Sequence, residues 1–98
     1  MSEQSLILAS EKTAAIETVV NGFRTYGGIS DQDRQGRLVW LSVLQDGARD
    51  WKFEDWFELE RAVKANLHGH PSYSMIMGIV GSKMIITTLA ETVEKSEA

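Results

Sequence analysis

Two histidines and a short run of carboxylates are the residues whose types and spacing could do chemistry. His68 and His70 flank Gly69, and two imidazoles two positions apart can reach one metal ion if the chain bends between them. A metal site ordinarily needs a third ligand. Glu58 or Glu60 would supply it only through tertiary folding, so the pair reads as an exposed helix end, with a metal- or ligand-binding domain using His68 and His70 as an alternative. Glu54 and Glu58 lie one helical turn apart and would split their proton affinities if buried together, giving one acid and one base. The aromatic residues of the same segment occupy the opposite face, which leaves these carboxylates in water. No catalytic residue, cofactor or metal ligand is assigned, and the chain is read as a non-enzyme.

The remaining glycine-rich motif fits known chemistry poorly. Gly78-Ile79-Val80-Gly81 has the G-x-x-G spacing that clamps a nucleic-acid backbone in KH domains, yet its inner residues are apolar where basic ones are expected. Gly81-Ser82-Lys83 lacks the preceding glycine and the following Ser or Thr of a phosphate loop. The same residues carry a different message: Ser74, Gly78 and Ser82 fall four apart, a spacing that lets another helix backbone approach, and the neighbouring Met75 and Met77 adapt to irregular surfaces.

Helical spacing organises most of the chain around these residues. Trp51, Phe53, Trp56 and Phe57 are four of eight aromatic residues, gathered within seven positions, and a cluster of that apolar area must face a core or a partner. Phe53, Trp56, Leu59, Val63 and Leu67 step by three or four along one face, acids precede bases along the segment, and Gly69 and Pro71 terminate it. Upstream, Ile16, Val19, Val20, Phe23 and Tyr26 form a second stripe, predicting a helix from Ser10 to the Gly27-Gly28 stop. Gly22 inside it costs about 1 kcal/mol relative to Ala, which calls for a close approach of another element or a shorter helix. Ser30 followed by Asp33 predicts the start of a helix running to Asp46 with a left-handed Gly47 after it. Its apolar run Leu38–Leu44 suggests a central, buried helix, with a strand as the rival reading.

Residues 75–89 admit two readings. Met75, Met77 and Met84 favour a helix, whereas the β-branched residues and a Gly81-Ser82 turn favour a hairpin. A lone hairpin is marginal in water. The expected fold is therefore an all-α, four-helix small domain spanning residues 1–98, with a loose arm at 1–9 and a fraying end at 92–98. The alternative is an α+β domain with a C-terminal β-hairpin at 75–89.

Composition narrows the function classes. A net charge of −4 and the lack of a basic block argue against nucleic acid and anionic lipid. The apolar stretch from Met75 to Ala90 contains Lys83 and falls short of the ~20 residues of a membrane span. Without cysteine there is no disulfide or thiolate ligand, and the N-terminal segment lacks the basic and apolar regions of a signal peptide, so a cytoplasmic location is expected. The expected function is protein binding through an aromatic and apolar helix surface, as a homodimer or other homo-oligomer or in a complex with a heterologous protein. Trp51, Trp56, Phe57, Met75, Met77 and Gly78 are the candidate interface residues. The alternative is an acidic inhibitor, immunity protein or assembly factor that presents Asp50, Glu54, Asp55 and Glu58 to a basic protein.

Overall fold

The computed structural model describes residues 12–47 and 50–97, and among them every regular element is helical. Helix α1 spans Lys12–Thr25, α2 spans Asp31–Ser42 and runs on into a π-helical turn at Val43–Gly47, α3 spans Phe53–Asn66 and α4 spans Tyr73–Glu97. The chain is thus an all-α small domain, and the hairpin alternative for 75–89 is overturned by a continuous helix. A helix satisfies its own backbone while docking Ile76 and Val80, both fully buried, whereas an isolated hairpin would leave two unpaired edges. That helix continues to Glu97, past the expected frayed end at 92. The loose arm at 1–9 and the helix start at Ser10 lie outside the described residues.

Helix α3 is the central element, in place of the expected α2. Its Trp56, Leu59 and Val63, with Leu67 at its end, are buried between α1 and α4. In α2 only Trp40 and Leu41 are buried, while Leu38 and Val39 face solvent. Its apolar run feeds the core through the following turn, where Val43 and Leu44 are buried. Among the described residues the left-handed glycine is Gly69, with φ of 88°, and Gly47 is the last residue of the π-helical turn. Gly69 reverses the chain after α3, and α4 returns antiparallel to it.

Glycine also explains how α1 meets α2. A Cβ on Gly22 would lie 2.2 Å from the indole Cε2 of Trp40, and one on Gly36 would lie 2.3 Å from the ring Cδ1 of Tyr26. Each helix therefore offers the other a notch that an aromatic ring fills, and the propensity lost at Gly22 is offset by burial of Trp40. The turn between the helices is fixed by polar contacts. Arg37 donates to the carbonyls of Tyr26 at 2.6 Å and Gly28 at 2.7 Å, and the Ser30 hydroxyl caps α2 by accepting from the Asp33 amide at 3.1 Å. Asp33 returns the contact by accepting from the Ser30 hydroxyl, which holds its carboxyl below the usual value.

Candidate interaction surface

Helix α4 buries one face and leaves a second apolar face in solvent. Ile76 and Val80 are fully buried, with Tyr73, Met77 and Met84 packed beside them against the core. On the other side Met75, Gly78, Ser82, Ile85, Ile86 and Leu89 recur every three or four positions and are all exposed, and Val93 extends the row by another turn. Met75 is 60% exposed, Ile85 65% and Leu89 62%. Side chains of this size in water along some five helical turns form a continuous patch of the kind that marks an interaction site.

The destination of the charges sharpens this picture. Between Tyr73 and Val93 the charged residues are Lys83 and Glu91, and both turn towards the body of the chain. Lys83 Nζ donates to the Gln45 carbonyl at 3.1 Å, placing a cation at the carbonyl-rich end of α2 and its π-helical turn. Glu91 Oε2 accepts from the Phe53 amide at 3.0 Å, placing an anion at the N-terminus of α3. Each charge meets a helix end of complementary sign. Two polar contacts thus hold the long helix on the body, and between Met75 and Val93 its outer face carries no charge.

Grooves flank this face on both sides. One of about 400 Å³ lies between α3 and α4, lined by Phe53, Gly81, Met84, Ile85 and Leu89 with Glu60 and Thr88 at its polar margin. Phe53 stacks on Phe57, at 6.1 Å between ring centroids and 11° between planes, so the apolar surface continues onto α3. The other groove, between α4 and the π-helical turn, is lined in part by Met75, Gly78, Ile79, Ser82 and Ile86. A Cβ on Gly78 or Gly81 would meet nothing within 4 Å.

The candidate residues read from sequence divide between core and surface. Trp51 and Trp56 are 2% and 1% exposed and pack on each other at 5.0 Å between ring centroids, so they are core residues rather than surface anchors. Trp51 precedes α3, which lets its indole fold back over the first turn. Met77 is half-buried against the same core, leaving Phe57, Met75 and Gly78 on the surface. Ile85, Ile86, Leu89 and Val93 are not among the interface candidates read from sequence, because a segment apolar on all sides gives no periodic contrast to show which face is outward.

The acidic residues are partly engaged in local structure. The Asp55 carboxylate accepts from the Lys52 amide at 2.9 Å at the start of α3, and Glu58 pairs with Arg61 at 3.5 Å. Glu60 pairs with Lys64 at 3.7 Å, as its one-turn spacing predicts, while Asp50 and Glu54 are exposed. Exposed pairs of this kind contribute at most about 1 kcal/mol. They place cations beside the acids and dilute an acidic docking patch.

His70 is occupied through both ring nitrogens. Its Nδ1 accepts from the Ser72 amide at 3.0 Å, which leaves Nε2 to carry the proton and donate to the Phe23 carbonyl at 2.7 Å. The ring thereby satisfies an end carbonyl of α1 and fastens the α3–α4 turn to it. His68 is exposed and packs edge-on against Tyr73. A metal at this pair would have to displace one of the His70 hydrogen bonds. Among the described residues no three His, Asp or Glu side chains gather closely enough to hold an ion.

Helix α4 also passes the length and composition test for a membrane span over Tyr73–Val93. The stretch judged too short in the sequence is lengthened by Tyr73, Ser74 and residues 91–93. Comparison with protein-family models, curated proteins and solved structures found no match.

Proposed function

We propose that this chain is a protein-binding module that works by association through the outer face of α4, with self-association as its simplest form. The observation that carries the reading is the uncharged apolar row from Met75 to Val93, left in solvent while Lys83 and Glu91 are drawn inward. A continuous patch of that length and chemistry lies at the upper end of what a monomer leaves open, where such patches are often functional. Protein is favoured over lipid as its cover because a spanning helix would carry Lys83 to the middle of the bilayer and strip Ile76 and Val80 from the core. The net charge of −4 likewise disfavours an anionic membrane surface.

Molar mass by light scattering after gel filtration, from micromolar to near-millimolar concentration, tests the reading. The expected result is a mass that rises with concentration to a defined multiple of 10.9 kDa. A mass of 10.9 kDa throughout would overturn self-association. Co-flotation of that monomer with phosphatidylcholine vesicles would replace the protein partner with a lipid one.

A further inference from the structure

We infer that the occupant of the outer face of α4 is a second copy of the same helix lying antiparallel to the first, about a two-fold axis near residues 83–84. This inference rests on the proposed association through α4. It is carried by the uneven distribution of bulk along the row. The N-terminal half presents the small residues Gly78 and Ser82, with open space above Gly78, and the C-terminal half presents Ile85, Ile86 and Leu89.

Parallel copies would set Gly78 against Gly78 and Leu89 against Leu89, leaving a void at one end and forcing the helices apart at the other. Antiparallel copies set the notch at Gly78 against Leu89 of the partner subunit and Ser82 against Ile85 of the partner subunit, so bulk fills space along the whole contact. The buried face of α4 lies on the opposite side of the helix, so the two bodies stay outside the seam. Full cover of Met75, Ile85, Ile86, Leu89 and Val93, each more than half exposed, on both copies buries at most about 1,200 Å², the lower end of the range of stable interfaces. An isologous contact of this kind closes at two copies.

The chain has no cysteine, which makes disulfide trapping a direct test. Gly78→Cys and Leu89→Cys are prepared separately, mixed and oxidised with copper–phenanthroline. A disulfide requires Cα atoms within about 7 Å. The antiparallel pair brings positions 78 and 89 of different copies together but keeps two copies of position 78 about 16 Å apart along the helix axis. The expected product is the mixed disulfide, in clear excess over either homodisulfide.

Met75→Cys mixed with Thr92→Cys repeats the test one turn further out, should a substitution at 78 or 89 disturb the helix. Homodisulfides in place of mixed ones would overturn the antiparallel register while leaving association through α4 intact. Absence of both from a sample whose mass is dimeric would place the contact on another face. Absence of both from a sample whose mass is monomeric would remove the association as well.

Discussion

The seam between α1 and α2 and the outer face of α4 use glycine in opposite conditions. At the seam Gly22 is filled by the Trp40 ring of α2 and Gly36 by the Tyr26 ring just past the end of α1, and Arg37 closes the turn beside them. On α4 Gly78 and Gly81 face open space, with large apolar side chains in the same row. A helix-interior glycine gives up about 1 kcal/mol of propensity in either place. At the seam that loss is offset inside the chain by the ring that occupies the notch. On α4 nothing among the described residues offsets it, and a second helix filling the notch is the arrangement that would.

Substitutions at the two places should therefore diverge, in size and then in sign. Trp40→Ala empties the Gly22 notch and should lower stability by about 3–5 kcal/mol in urea or thermal unfolding. Gly22→Ala drives a methyl into the indole and should cost about 1–3 kcal/mol despite its gain in propensity. The two changes should not add, because removing the ring removes the clash. An additive pair would show that the contact does not set the spacing of α1 and α2.

Gly78→Ala should act the other way. With open space above it, the methyl should stabilise the monomer by up to ~1 kcal/mol while weakening association by filling the notch. A Gly78→Ala protein that associates as well as the parent would break the contrast between filled and open glycines.

The smallest effect expected is electrostatic and sits at the seam. Asp33 is held below its ordinary value of 3.8, first by the Ser30 hydroxyl, with the Gly28 and Ser30 backbone and Arg37 acting in the same direction. A carboxyl lowered in the folded state stabilises it fully above the ordinary value, and that contribution is lost as pH falls through the lowered folded value. Ser30→Ala should move the Asp33 titration, followed by its carboxyl carbon shift, back towards 3.8, whereas an unmoved curve would assign the shift to another group.

Much of the fold was legible because it rests on local rules. The stripes Ile16–Tyr26 and Trp56–Leu67 face inward as their spacing predicts, while Phe53 at the head of the second lines the groove beside α4; Ser30 caps α2, and the cost read at Gly22 corresponds to a real close approach. What sequence did not show depends on tertiary partners. The run Leu38–Leu44 is apolar on most sides, so nothing in it told that Leu38 and Val39 would be left outside or that α3 would take the centre. Trp51 lies before its helix, where periodicity says nothing of burial.

The candidate surface was half legible for the same reason. Of the six interface candidates, Met75, Gly78 and Phe57 lie on the surface, while Ile85, Ile86 and Leu89 are hidden in an unbroken apolar segment. One signal was present: Lys83 and Glu91 are eight residues apart, hence within a quarter turn of each other on a helix, and could have marked the side that faces the body.

Association is expected to belong to the outer face of α4 rather than to exposed apolar surface in general. Sedimentation equilibrium of Leu89→Glu beside Leu38→Glu tests it most directly, since both side chains are exposed, on α4 and α2 respectively. Leu89→Glu is expected to remain at 10.9 kDa at every concentration, with the melting temperature of the parent diluted to monomer, while Leu38→Glu associates like the parent. Association retained by Leu89→Glu and lost by Leu38→Glu would contradict it.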